Sequence, residues 1–137
     1  MRRLAALAIV AAALGAAGCA TTKTASSAGS FKGAESDVAK VVDDLRTAGE
    51  RRDAAKVCSQ ILAQPLVSSL DSSGTSCTQE MAKTIKDVDD FGMTVRDVTV
   101  TGATATARVQ NGTKGTTVTF RFVREASRWK VSELAKG

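Results

Sequence analysis

Between residues 94 and 134 apolar and polar side chains alternate with a period of two, and this alternation restricts the fold more than any other feature. Four runs carry it: TVRDVTVT, TATARVQ, TTVTFRFVR and RWKVSEL. They are separated by Gly102-Ala103, Asn111-Gly112-Thr113-Lys114-Gly115 and Glu125-Ala126-Ser127-Arg128. Connections this short join neighbouring antiparallel strands, so the pattern predicts a four-strand meander. In the second run Ala103, Ala105, Ala107 and Val109 share one face, with Thr104, Thr106, Arg108 and Gln110 on the other. The third sets Val118, Phe120 and Phe122 against Thr117, Thr119, Arg121 and Val123, and the fourth sets Trp129 and Val131 against Lys130 and Ser132. One face of the sheet is therefore expected to be buried and the other wet. Such a sheet does not stand alone, so the residues before it must supply its cover. The alanines facing Phe120 and Phe122 leave room either for a helix lying close or for a hollow.

That cover reads as three helices. Over Ser36 to Arg51, Val38, Val41, Val42, Leu45 and Ala48 form one apolar stripe, with Lys40, Asp43, Asp44 and Arg46 away from it. Ser36 is the expected N-cap and Gly49 the expected stop. A second helix begins with Asp53 as N-cap, buries Ala54, Val57, Cys58, Ile61 and Leu62, and ends ahead of Pro65, which disfavours helix in the residue before it. Leu66, Val67 and Leu70 suit one more short turn. The third helix starts near Ser76, where Ser76-Cys77-Thr78-Gln79 has capping-box form. Its stripe is Met81, Ile85 and Val88. Asp87, Asp89 and Asp90 oppose the helix dipole, so it should end by about Val88.

The chain opens with Arg2-Arg3, an apolar run and then Ala16-Ala17-Gly18-Cys19. A basic start, a short apolar stretch and small residues form a secretory signal. A membrane-spanning helix needs about 20 apolar residues, and Thr21, Thr22 and Lys23 come too soon for one. The ending resembles a bacterial lipobox, with Ala16 where that family prefers Leu. The resemblance implies cleavage before Cys19 and a diacylglycerol on its sulfur, anchoring the protein to the outer face of the cell membrane. The alternative is an ordinary signal peptide cut nearby. On this reading residues 1–18 are a signal, 19–34 a flexible tether of small polar residues, and 35–137 one α+β domain.

Cys58 and Cys77 are then an even pair in an exported protein, which implies a disulfide. A redox site or metal site is the rival, but there is no CxxC spacing, no third thiol beside them and no His. The absence of His also removes the usual general base near neutral pH and any Ser-His or Cys-His nucleophile pair. No metal or cofactor site is expected. Charge is uneven: Glu35 to Phe91 holds 11 acids and 7 bases, and Gly92 to Gly137 holds 3 acids and 8 bases. The bases of the sheet half stand singly among Thr and Val, not clustered as nucleic-acid binding demands. Nucleic acid is therefore not an expected partner.

The order of these features resembles the nuclear transport factor 2-like, or cystatin-like, group. The residues that carry the likeness are the stripe from Val38 to Ala48, Arg52-Asp53-Ala54-Ala55, the two cysteines, Val98-Thr99-Val100-Thr101-Gly102-Ala103-Thr104-Ala105, and Arg128-Trp129-Lys130-Val131. Small actinobacterial lipoproteins with this cysteine pair and this ending share the pattern. The likeness implies a cone-shaped roll in which three helices pack on a curved four-stranded sheet. It also implies a site inside the cone, lined by Val41, Leu45, Ile61, Ala105, Ala107, Phe120, Phe122 and Trp129, which would be a pocket for a small apolar ligand or simply a closed core. Enzymes of this group, such as ketosteroid isomerases, use an Asp base with Tyr, His or another Asp as acid. Here Tyr and His are missing, and Asp44 and Asp97 are the acids left for such a role.

Three functional readings follow. The first is a membrane-tethered, non-catalytic binding or accessory domain. The second is an interaction module, dimerising through the exposed face of Thr104, Thr106, Arg108, Thr117, Thr119, Arg121 and Lys130. The third is a small isomerase- or cyclase-type enzyme acting on a hydrophobic substrate.

Overall fold

The structure, a computed structural model, describes residues 26–112 and 115–134. The expected signal segment and the lipidation position Cys19 lie outside the described residues. The fold is α+β. Four helices come first: α1 (Gly33–Glu50), α2 (Ala54–Lys56), α3 (Gln64–Asp71) and α4 (Cys77–Lys86). Then come β1 (Met93–Thr101), β2 (Thr104–Asn111), β3 (Thr117–Glu125) and β4 (Arg128–Glu133), forming one antiparallel sheet in the order β1-β2-β3-β4. Among the described residues no helix is long and apolar enough to cross a membrane.

The sheet follows its alternation. Ala105, Ala107, Val109, Phe120, Phe122, Trp129 and Val131 are buried, and the Thr and Arg residues between them are exposed. β1 breaks the pattern once. A register shift between Val95 and Asp97 leaves Arg96 and Asp97 both exposed, while Val95 and Val98 are buried. A bulge of this kind bends the strand and strengthens its twist.

α1 begins at Gly33, with Lys32 rather than Ser36 at its N-cap, and the helical half departs from expectation in three further places, each with a physical cause. First, three helices become four. The second helix does not run to Ala63: after α2 the backbone widens into a π turn, Val57–Ile61, and Leu62 becomes extended. What stops it is the edge of β4. Leu62 forms a parallel bridge with Val131, and the Ala63 N–H donates to the Val131 carbonyl at 2.8 Å. Pro65 then sits in the first turn of α3, where its missing N–H costs nothing. Second, Gly49 does not stop α1. The helix continues to Glu50, and Arg52 takes the left-handed turn (φ 55°) while its guanidinium caps α4 by donating to the Ile85 carbonyl at 2.9 Å.

Third, Asp43 and Arg46 are buried rather than solvated. The described chain begins before the expected domain boundary at residue 35. A 3₁₀ turn at Ser27–Ser30 packs on the flank of α1 and covers Asp43, while Arg46 pairs with Glu50 at 3.0 Å. Asp43 accepts from the Ser26 hydroxyl at 2.6 Å and from the Ser27 and Ala28 N–H groups at 3.1 Å each. The Ser27 hydroxyl in turn accepts from the Val95 N–H at 3.2 Å, joining this turn to β1. Ser26 to Ala28, within the stretch expected to be tether, are thus docked on α1, and Gly33 and Ala34 already belong to that helix. With a second neighbour on that flank, the buried stripe of α1 is centred on Val38, Ala39 and Val42, and Val41 and Leu45 move to its half-buried margins.

Cys58 and Cys77 are joined, with sulfurs 2.06 Å apart and Cα atoms at 6.1 Å. The bridge ties the π turn to the first residue of α4 and encloses α3, a helix with no fully buried residue. With so little burial of its own, α3 relies on the bridge and on the Glu125 carboxylate, which accepts from the Gln64 N–H at 3.1 Å. Replacing both cysteines by Ser should lower the unfolding free energy by about 3 kcal/mol in denaturant titration. Asp43→Ala should do something different. It leaves the Ser27 and Ala28 N–H groups without their acceptor, and undocking of residues 26–31 is the cheaper relief. Limited proteolysis should then cut that segment, with the rest of the domain still resistant.

Candidate functional site

Two hollows border α1, and they differ in chemistry. The apolar one is an open cleft of about 450 Å³. Leu45 and Gly49 of α1 form one wall, and Met81 and Ile85 of α4 form another. Phe91 and Met93 close one end, with Val118, Phe120 and Leu134 from the sheet side. Polar groups stand only at its margin: Thr84, Asp90, Asn111 and Thr116.

The position of Phe91 depends on two neighbours. Asp90 accepts from the Gly92 N–H at 2.7 Å, fixing the turn that presents the ring. Gly49 then lets the ring touch the helix backbone, since a Cβ there would lie 2.5 Å from Cδ1 of Phe91. Glycine inside a helix ordinarily costs about 1 kcal/mol against alanine. Here the close approach of the ring requires it.

The second hollow is a polar groove of about 530 Å³, one turn earlier along α1. Asp37, Lys40, Val41 and Asp44 face Lys56, Gln60 and Ile61 across it, and Ser127, Arg128 and Trp129 of the β3–β4 hairpin close it. Lys40 and Asp44 pair at 2.8 Å. The hairpin turns on Ala126 (φ 46°) and Ser127 (φ 67°), both left-handed without glycine, at a cost of roughly 1–2 kcal/mol per residue. The Trp129 ring is buried, Arg124 lies 5.7 Å from its centroid, and its Nε1 has no hydrogen-bond partner among the described residues. A third, smaller hollow of about 280 Å³ lies among Thr99, Thr101, Thr106, Arg121 and Ser132, and Ala105 and Phe122 also border it.

The eight residues expected to line a single cavity are therefore divided. Leu45 and Phe120 line the apolar cleft, whereas Val41, Ile61 and Trp129 line the polar groove. Ala105, Ala107 and Phe122 are packed in the closed core. The single space expected is replaced by two hollows one helical turn apart along α1, with Val41 in one and Leu45 in the other. Gly49, Phe91, Met93 and Val118 were missed as site residues. Residues 89–93 read from sequence as a connection between helix and strand, and the only hint was an aromatic set between Asp90 and Gly92.

Neither acid considered for proton transfer reaches the apolar cleft. Asp44 belongs to the polar groove and is paired with Lys40. Asp97 is on the outer face, 3.0 Å from Arg108, with both side chains more than half exposed (52% and 60%). Among the described residues no cluster of three or more His, Cys, Asp or Glu is placed to hold a metal ion.

Gly49→Ala tests the cleft wall directly. Helix propensity alone would make it stabilising, but the added methyl overlaps the Phe91 ring near its root. The expected result is a loss of about 1–3 kcal/mol in thermal or chemical unfolding, with a change in the exposure of Phe91. No protein-family model, no curated protein and no solved structure matches this chain.

Proposed function

We propose that this protein is a membrane-tethered binding protein, exported and lipidated at Cys19, whose cone-shaped domain of the nuclear transport factor 2-like kind holds a small apolar molecule without transforming it. The observation that carries the reading is the cleft beside Leu45, Met81, Ile85 and Phe91. Its volume falls within the usual range for small-molecule sites, about 300–1,000 Å³. Its polar groups are confined to the margin, so a bound molecule would be held mainly by apolar contact, at about 25 cal/mol per Å² removed from water. The order of the chain supports the tether: a signal-like segment, then a Cys after Ala-Gly, then small polar residues.

The test has two arms. Mass spectrometry of protein extracted from membranes should show diacylglycerol on Cys19, and an unmodified thiol there would remove the anchor. An apolar fluorescent dye should bind the protein, and Leu45→Asp should weaken it at least about tenfold by placing a charge in the cleft wall. Leu45 is half-buried, so folding should survive the change. Thr119→Asp on the exposed sheet face should leave dye binding unchanged. A protein that takes up no apolar probe, or a Leu45→Asp variant that binds as well as the parent, would overturn the proposal.

A further inference from the structure

The two edges of the sheet are not treated alike. A two-residue hairpin closes on the Thr101–Thr104 pair. The closing pair of such a hairpin exchanges both hydrogen bonds, and bonding alternates from there. Thr101, Thr99 and Asp97 therefore turn their backbone groups toward β2, and Val100 and Val98 turn theirs outward. The same counting on β4 starts from Glu125–Arg128 and sends Val131 outward. That carbonyl does take an outside donor, the Ala63 N–H, so the counting agrees with an observed bond. On β1 the bulge resets the count, and the Val95 N–H also points out, where Ser27 receives it.

An open strand edge is a template for another strand, and proteins usually guard it with a covering segment, a bulge, a charge or a proline. β4 is covered by Leu62 and Ala63. The first half of β1 has Ser27, the bulge, and Arg96 beside Asp97. Val98 to Thr101 has none of these. Its sequence is Val-Thr-Val-Thr, without charge or proline. Among the described residues no hydrogen bond outside the sheet's own ladders reaches the backbone of Val98 or Val100. Val98 is buried and Val100 half-buried on the inner face, while Thr99 and Thr101 are exposed on the outer face.

We infer that this edge pairs with the same edge of a second copy, antiparallel about a two-fold axis at Thr99, so that two sheets become one continuous sheet. The segment is self-complementary in that register. Val98 stands opposite Val100 of the second copy, and each such pair exchanges two N–H···O=C bonds. Thr99 meets Thr99, a favourable cross-strand pair, and Asp97 meets Thr101, so no like charges are opposed. The contact is small, so it forms at high local concentration.

Amide hydrogen exchange by NMR on the full chain in detergent tests this, from about 10 µM to about 1 mM, which brackets a weak dimer. Protection of the Val98 and Val100 amides should rise with concentration, while that of Thr99, already bonded to β2, should not. Thr99→Lys sets like charges face to face and should weaken self-association about fivefold. Mixing it with Thr99→Glu should restore association. Thr119→Lys, in the middle of the outer face, should have no effect. No concentration dependence at Val98 and Val100 would overturn the inference. So would protection at every dilution, which would mean the chain's own N-terminal residues cover the edge. Loss of association in Thr119→Lys with no recovery in the mixed pair would assign the contact to the sheet face instead.

Discussion

Burying Val95, Val98, Val109, Phe120, Phe122, Trp129 and Val131 on one side of a four-stranded sheet is worth about 1.5–3 kcal/mol for each large side chain, and α1 is the one helix long enough to close that side. The rest of the molecule follows from fitting this helix to the sheet. Ala105 and Ala107 leave room for it at the middle of β2, and Val38, Ala39 and Val42 of the helix are fully buried. A helix is a cylinder about 10–12 Å across with its side chains, narrower than the sheet it lies on. Its two margins must be filled by other elements or left open. The margin near Asp43 is filled by the 3₁₀ turn, and the stretches near Leu45 and Val41 are left as the apolar cleft and the polar groove.

This explains which parts of the fold were legible in the sequence. The sheet could be read because period-two alternation is a local property that tertiary packing reinforced. The capping box at Ser76 could be read for the same reason: the Ser76 hydroxyl accepts from the Gln79 N–H, and the Gln79 side chain accepts from the Ser76 N–H. The cysteine pair followed from pairing rules for exported chains. What could not be read depended on contacts distant in sequence. Asp43 looks like any solvated helix acid until Ser26, Ser27 and Ala28 come back to it, and Leu62 looks helical until Val131 takes it. Gly49 matched a helix stop, yet its reason is a phenyl ring more than forty positions later.

The candidate site was harder to read than the fold, and for the same cause. Alternation says which side chains face inward, but not whether the space between them is filled. The inward set divided because helices and sheet fill most of the inner face. Leu45 and Phe120 reach one hollow, and Val41, Ile61 and Trp129 reach another. A functional reading built on inward-facing positions therefore has to ask where the covering helix lies before it counts any residue as pocket lining.

The staples of this fold sit where burial is weakest. α3 has no fully buried residue, and the disulfide closes the loop that carries it. The 3₁₀ turn buries one residue, Ser27, and the Asp43 carboxylate holds it with three bonds. By contrast α1 and the inner sheet, where burial is greatest, carry neither a covalent link nor a buried ion pair between them. A chain with four Phe, one Trp and no Tyr builds most of its core from Val and Ala, around Phe120, Phe122 and Trp129, so most contacts remove less surface from water. Peripheral elements then gain too little from packing alone, and directional bonds take over that task. The cleft is built differently again. Its walls set half-buried Leu45, Phe91 and Met93 beside buried Met81, Ile85 and Phe120, so apolar contact is left to be made there.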